Sequence, residues 1–500
     1  MLKRNMIANI IGSVWGFALS LLAIPLQIRL LGAEAYGLIG FIAVLQLLLV
    51  VWDFGLTSIV IREVAADREA GRAVARTGAA IYWIVALSVG VVVFAASHWI
   101  ASNWLTVETL APDYTAGAIR IIAVYLTFTW VISHYANILF GLNRLDVANG
   151  LRIFLSSGAQ IGGIGVLLVR ADLHLLLWWL AAWAVIGVIA HVVALRRLFP
   201  ELSPLPALSL PVIRRIWKAS FDMNVVTTAT TIYTQADKVL ISALLPLSAL
   251  GYYNIAYKLT LGIAMIPTAV SSSTLPTLTG LAANGQPAEL RAQYNRAAQL
   301  VMYLIAGATF GLVFFGRDVI ALWTTAATAE NAYRVLGLLV ISNLLNAATI
   351  VSYMTLLAAG KTRRLAWIYL GGLPIYLGAL ILLTQSGGLE GAALAFGVYS
   401  LYLLLTLLPS TQRAINGESA IAWINRIVTP FTLLGAAIFA LCRLLIDAAG
   451  MGESLLVWIA AGIGGIAYMA IGFWFLYPTT QISVLGLVRS VIGRARKVSL

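Results

Sequence analysis

Residues 78–100 read GAAIYWIVALSVGVVVFAASHWI, 23 positions without an Asp, Glu, Lys or Arg, with Arg72 and Arg76 just before them. A helix needs about 20 residues to cross a hydrocarbon layer about 30 Å thick, whereas a membrane β-strand needs about 10 with strict alternation. The run is too long and too evenly apolar for a strand, so it predicts a spanning helix. Working outward, stretches of the same kind give fourteen expected spans: 7–31, 37–61, 78–100, 118–141, 147–169, 174–195, 219–245, 250–280, 297–323, 333–359, 365–384, 389–409, 424–446 and 453–477.

Composition agrees. The 500 residues are 61% hydrophobic and 10% charged, where a water-soluble domain carries about 25% charged residues. So much apolar surface cannot be hidden in water, and the bilayer is the solvent for most of the chain. The net charge of +13 does not point to nucleic acid, because the basic residues sit in short segments between the apolar runs. With the N-terminus inside, 24 of the 32 Lys and Arg residues fall on inside segments and six (Arg29, Arg120, Arg170, Arg317, Arg334, Arg443) on outside ones. Lys238 and Lys258 fall within spans. That asymmetry predicts cytoplasmic N- and C-termini. The basic Met1–Arg4 segment precedes an apolar run too long for a signal-peptide core, so it reads as a retained first helix.

Several chemistries are excluded. The single cysteine, Cys442, forms no intramolecular disulfide, and the four histidines are scattered. There is no Walker loop, metal-ligand cluster, dinucleotide fingerprint or nucleophile triad, so no cofactor is expected and the chain reads as a transporter rather than an enzyme. The expected outside loops are too short to house an active site.

Six spans, a loop rich in Pro200, Pro204, Pro206 and Pro211, and then more spans suggest an internal duplication. A shift of 214 places Leu30, Leu31, Ala35, Gly37 and Leu45 on Leu244, Leu245, Ala249, Gly251 and Leu259. The expected organisation is an all-α membrane protein. Its N-lobe covers 1–200, a cytoplasmic loop 201–218, and a C-lobe of the same orientation 219–412. An additional helix pair follows at 413–480, with a basic cytoplasmic tail at 481–500. Two parallel lobes permit rocking about a central site.

Ionisable residues inside spans are costly and usually face a cavity or a partner. Asp53 lies nine positions before Arg62, about 13 Å along a straight helix. Asp237 and Lys238 stand in the seventh span and Lys258 in the eighth, with Asp237 and Lys258 placed to pair across the hairpin. Two readings stand: lining of a chamber between the lobes, or an ion pair that fixes helix packing. Asn224, Thr228, Thr231, Gln235 and Lys238 fall on one helical face. Small polar residues also serve ordinary packing, but Gln235 and Lys238 are not small. His134, on a face with Thr127 and Asn137, reads as a packing or hydrogen-bonding residue rather than a proton site.

The segments Arg29-Leu30-Leu31-Gly32, Tyr36-Gly37, Asp53-Phe54-Gly55-Leu56 and Arg62 resemble the start of polysaccharide (PST) transporters. These are the Wzx-type oligosaccharide flippases of the multidrug/oligosaccharidyl-lipid/polysaccharide exporter superfamily. Asp237, Leu245, Gly251-Tyr252-Tyr253 and Ala256-Tyr257-Lys258-Leu259 resemble that family's second lobe. The resemblance implies a flippase moving undecaprenyl-pyrophosphate-linked oligosaccharide outward across the bacterial inner membrane. It implies cavity cations that meet pyrophosphate and sugar, and acids that serve a coupling cation, proton or sodium. Asp53, Arg62, Asp237 and Lys258 are the matched candidates, joined by Asn224, Gln235 and Lys238 from the helix face. Its implied partners are the lipid-linked oligosaccharide, membrane lipids and polysaccharide-assembly proteins. The rivals are a cation-coupled multidrug exporter or a peptidoglycan-precursor flippase of the same superfamily. A membrane-embedded glycan polymerase or glycosyltransferase is a further alternative. Lys238 and Lys258 beside the two acids favour an anionic or mixed substrate over a cationic drug.

Overall fold

The computed structural model of the chain describes residues 2–53, 55–200, 205–415, 417–450 and 455–481, with the side chains at 2–11, 13–14, 48, 51, 68, 70 and 216–230 left aside. The expected basic tail falls, from residue 482 onward, outside the described residues. Among the described residues the long elements are all helical. They are α1 (Leu2–Val51), α2 (Leu56–Ala66), α3 (Arg68–Ala95), α4 (Ser97–Trp99), α5 (Pro112–Gly141), α6 (Leu145–Val169), α7 (Leu173–Leu198), α8 (Leu210–Leu244) and α9 (Leu247–Ala283). Then come α10 (Pro287–Trp323), α11 (Ala326–Ala358), α12 (Thr362–Ala414), α13 (Ala420–Trp423), α14 (Thr429–Ala448) and α15 (Leu456–Trp474). Two π-helical turns, Ile100–Trp104 and Ile424–Val428, extend α4 and join α13 to α14.

Eleven helices among the described residues are long and apolar enough to cross a membrane. Two of them contain a glycine with positive φ, Gly32 (φ 85°, ψ 168°) in α1 and Gly388 (φ 56°, ψ −134°) in α12. Each therefore has two arms, and each pair of arms covers two neighbouring expected spans. The reason is local: a residue without a side chain reaches these dihedrals at little steric cost. At Gly388 the arms nearly touch, since a Cβ on Gly391 would lie 1.7 Å from the carbonyl oxygen of Leu383. The long polar helix α8, which carries Arg214, Arg215, Lys218, Asp222, Asp237 and Lys238, is not among the eleven.

Two boundaries differ from expectation. The span expected at 37–61 is not continuous. Helix α1 ends at Val51, and α2 starts afresh at Leu56 after Gly55 takes the left-handed conformation (φ 69°). The loop expected at 201–218 is already helical from Leu210, because Pro211 sits in the first turn of α8, where a missing N–H costs nothing.

The chain forms two compact units, residues 1–254 and 255–500. In the first, α2, α3, α5 and α7 enclose a core that includes Val60, Val74, Ala79, Tyr82, Val131, Tyr135, Leu139 and Leu195. His134 lies within it fully buried, with Nε2 2.9 Å from the carbonyl oxygen of Ala75 and its ring 4.8 Å from that of Tyr82. This is the packing and hydrogen-bonding role read from the sequence.

In the second unit α11 packs between α10 and α12. The C-terminal helices dock on α10 through polar contacts. Trp423 is fully buried, donates to Asn295 Oδ1 at 3.0 Å and stacks on Tyr294. The Tyr303 hydroxyl donates to the Met469 carbonyl at 2.7 Å, and the Tyr468 hydroxyl returns the bond to the Tyr303 carbonyl at 2.8 Å. Gln299 donates to the Phe475 carbonyl at 2.9 Å and accepts from the Tyr477 amide at 2.8 Å. Hydrocarbon offers no water to satisfy a helix end, so a side chain from the neighbouring helix does it.

The His134 ring sits against Gly78, where a Cβ would come within 2.6 Å of Cε1. Gly78→Ala is expected to destabilise the protein by about 1–3 kcal/mol, as overpacking of a rigid core does. Thermal unfolding in detergent checks this. In a His134→Ala background the same glycine substitution is expected to cost much less, because the obstructing ring is gone.

Candidate functional site

The helix break after Val51 is built around Asp53. Its carboxylate is buried and accepts from the Thr57 hydroxyl at 3.1 Å and the Thr57 amide at 3.5 Å. The Tyr82 hydroxyl, from α3, donates to the same carboxylate and lies 2.9 Å from the Thr57 hydroxyl. Asn137, from α5, donates to the Thr57 hydroxyl at 3.2 Å. A carboxylate at a helix start satisfies amides with no intrahelical partner and sits in the favourable field of the helix dipole. Because the chain turns here, the rise counted from Arg62 along one straight helix does not give the depth of Asp53. Arg62 itself is exposed and pairs with Glu63 at 3.2 Å, which also receives Arg215 at 3.3 Å. The structure does not pair Arg62 with Asp53.

The second acidic group lies in α8. Asp237 and Lys238 are both buried. The Lys238 ammonium lies 3.2 and 3.4 Å from the two carboxylate oxygens of Asp237 and also donates to the Thr234 carbonyl at 3.1 Å. Tyr253, from the first turns of α9, donates its hydroxyl to Asp237 Oδ2 at 2.7 Å. A charge in a low-dielectric interior needs both a counter-ion and hydrogen bonds, and Asp237 has each. Of the polar helix face, the structure describes Thr231 and Gln235 as half-buried and Lys238 as buried, while the side chains of Asn224 and Thr228 lie outside the described residues. The Gln235 Oε1 atom is buried with no hydrogen-bond partner among the described residues. Lys258 is half-buried and belongs to the second unit.

Both acids thus share an arrangement that residue-by-residue reading missed: a carboxylate held by a tyrosine hydroxyl from another helix. For Asp237 the signal was present, since Tyr253 stands in the quoted Gly251-Tyr252-Tyr253 segment. For Asp53 it was not, since Tyr82 is 29 positions away in a run with no other mark.

Also inside the first unit, the second arm of α1 meets the start of α9 through glycine. A Cβ on Gly37 would lie 2.1 Å from the Leu247 carbonyl oxygen, and one on Gly251 would lie 2.2 Å from that of Ala33. The shift of 214 seen in the sequence turns Ala33 into Leu247 and Gly37 into Gly251. The two close approaches are therefore images of each other under that shift. Around it the Leu247 amide donates to the Thr106 carbonyl at 2.9 Å, Trp104 Nε1 donates to Ser242 Oγ at 3.1 Å, and Ser248 Oγ donates to Glu108 at 2.7 Å. Buried Glu34 holds this segment from the other side, accepting from the amides of Thr109 at 2.9 Å and Leu110 at 3.2 Å.

Such a backbone contact has no slack for a side chain. In a Cys442→Ser background, Gly37→Ala and Gly251→Ala are each expected to part the contact and raise the thiol reactivity of Ser248→Cys. Unchanged reactivity would show that the glycines do not hold these helices together. Removing the Tyr82 hydroxyl leaves a buried carboxylate one donor short, so Tyr82→Phe is expected to cost about 1.5–3 kcal/mol in detergent stability. Asp53→Asn, which keeps an acceptor and removes the charge, is expected to cost less than Asp53→Ala.

Comparison with known proteins bears on this arrangement. The chain is 23% identical over 405 residues, 79% of its length and 94% of the relative's, to a Shigella flexneri protein named "Putative O-antigen transporter". Its fold is similar to that of the lipid II flippase MurJ in an inward closed conformation, with a TM-score of 0.72 and 12% identity over 97% of this chain and 100% of the other. It is also similar to an inward-facing multidrug resistance MATE family transporter of the MOP superfamily, with a TM-score of 0.67 and 12% identity over 80% and 94% of the two chains. At such identities these likenesses fix the fold alone, a MurJ- and MATE-like transporter fold. The family profile reaches further: it runs from the first turn of α1 to the end of α9, residues 2–282, and on that match the chain belongs to the polysaccharide biosynthesis protein family.

Proposed function

We propose that this protein is a flippase that carries an undecaprenyl-pyrophosphate-linked oligosaccharide from the cytoplasmic to the outer leaflet of a bacterial inner membrane by alternating access. Family membership and the O-antigen relative support the class of cargo. The observation that carries the mechanism is the glycine contact that maps onto itself under the repeat. At the glycines the two helices meet through backbone alone, and the few hydrogen bonds beside them, Trp104 to Ser242 and Ser248 to Glu108, are the ones that break and re-form when the helices part. Alternating access requires such a contact.

On this reading the chain crosses the membrane fourteen times. The arms of α1 and α12 count separately, α8 is included, and both termini are cytoplasmic. The lobes cover 1–200 and 219–412, with the pair at 413–480 and the basic tail beyond them. A polyprenyl tail stays in lipid while the charged headgroup needs cations, and Lys238 and Lys258 are the proposed contacts for pyrophosphate. Asp53 and Asp237 are the proposed sites for a coupling cation. A cation-coupled drug exporter shares the fold, but the buried lysine beside Asp237 suits a positively charged cargo poorly.

Complementation of glycan export tests the proposal. Lys238→Ala is expected to abolish export with the protein still inserted, and Lys238→Arg to retain more activity. Removing one partner of a buried pair strands the other at about 3–5 kcal/mol, so stability alone could explain the first result. The double variant Asp237→Asn, Lys238→Met separates the two readings. Restored stability without export supports contact with cargo. Restored export assigns the pair to packing and overturns the assignment.

Orientation has its own check. Cysteines at Arg72, Lys361 and Arg413 are expected to react only with reagents that reach the cytoplasm, and those at Thr109 and Ser386 with reagents added outside. Outside labelling at Arg72→Cys would overturn the topology.

A further inference from the structure

The turn between α11 and α12 carries a group of charges to which the proposed transport assigns no ligand. Gly360, in the left-handed conformation (φ 69°), folds the chain so that Lys361, Arg363 and Arg364 surround one hollow of about 560 Å³. Trp367, 66% exposed, and Tyr402 form its wall. The Tyr402 hydroxyl is already engaged with the Ile368 carbonyl at 2.9 Å, so its ring acts as an apolar surface. All three basic side chains are exposed, and none has an ion pair or side-chain hydrogen bond among the described residues. No Asp or Glu occurs from Asn331 to Leu389. The flanking acids, Glu330 and Glu390, are occupied by Arg317 and by Arg334. Glu330 stands at the far end of α11 and Glu390 just past the Gly388 break of α12, each about 40 Å along the helix at 1.5 Å per residue. The backbone amides at the start of α12 have no side-chain cap, which adds partial positive charge.

Orientation by charge asymmetry needs only basic residues on one side of the membrane. It needs no hollow and no aromatic wall. Three uncompensated cations around a space bordered by an interfacial tryptophan match a phosphate ester at the water–lipid boundary. We propose that this hollow is a binding site for the headgroup of an anionic phospholipid of the cytoplasmic leaflet. The phosphate meets Lys361, Arg363 and Arg364, and the glycerol and first methylenes lie along Trp367 and Tyr402. The inner leaflet is the source because its anionic lipids surround this turn at high local concentration, whereas a lipid-linked glycan is scarce. The choice of leaflet rests on the topology proposed above; the site itself does not.

The full-length protein, purified in detergent and freed of lipid, is titrated with phosphatidylglycerol and in parallel with phosphatidylcholine, and bound lipid is counted by native mass spectrometry. One site preferring phosphatidylglycerol is expected. Lys361→Gln, Arg363→Gln, Arg364→Gln together are expected to weaken it about 100-fold, from about five-fold per cation. The charge-preserving set Lys361→Arg, Arg363→Lys, Arg364→Lys is expected to keep it. If the triple glutamine variant does not fold, the three single variants are read instead. Equal binding of the two lipids, or undiminished phosphatidylglycerol binding by folded variants, overturns the site. If polyprenyl pyrophosphate displaces phosphatidylglycerol at substoichiometric concentration, the hollow belongs to cargo and the phospholipid assignment is overturned. Outside labelling of Thr362→Cys in a Cys442→Ser background would overturn the leaflet while leaving the titration standing.

Discussion

A carboxylate buried in a protein interior must be matched by donors, and in this protein the matching shapes the helices around it. Asp53 interrupts a long helix and restarts it, with Thr57, Tyr82 and, through Thr57, Asn137 arranged about the break. Asp237 is matched within its own helix by Lys238 and from the next helix by Tyr253. In each case the phenol is the better donor for the setting. It carries no charge of its own to be desolvated, and its ring fills apolar space. The packing of α3 against α2, and the position of the first turns of α9 beside Asp237, are tied to these two bonds.

The same demand for satisfied polar groups explains the smaller features. Serine and threonine hydroxyls throughout the helices return to carbonyls three or four residues earlier, as Thr127, Thr260 and Thr355 do. Such bonds let a polar residue sit in a spanning helix without a partner elsewhere. Where two helices must approach to backbone distance, side chains are removed altogether, as at Gly37 and Gly251. Polar residues and glycine thus do opposite work: one joins helices through bonds, the other through contact.

Much of this was legible in the sequence. Helical class and spanning runs follow from apolar length, because a bilayer sets how long such a run must be. The acids stood out because charge is rare in apolar runs. What could not be read was the third dimension. Gly55 resembles any other glycine until its left-handed dihedrals end the helix that was drawn through it, so the expected span at 37–61 was too long. Tyr82 has an ordinary place in an apolar run, and only packing brings it to Asp53. Arg62, matched by motif, is exposed and pairs with Glu63, a neighbour that the motif alone does not single out.

The hairpin at Gly388 has a consequence of another kind. Its arms are joined through a single non-helical residue, and Gly391 lies against the Leu383 carbonyl. With no loop to absorb extra residues, the two arms are locked in register like the blades of folded scissors. An added or deleted residue in either arm would rotate that arm by about 100° at 3.6 residues per turn and present lipid-facing side chains to the protein interior. Substitution is therefore open to evolution along this segment, whereas change of length is closed. Tags, permutation points and domain insertions belong elsewhere on the chain.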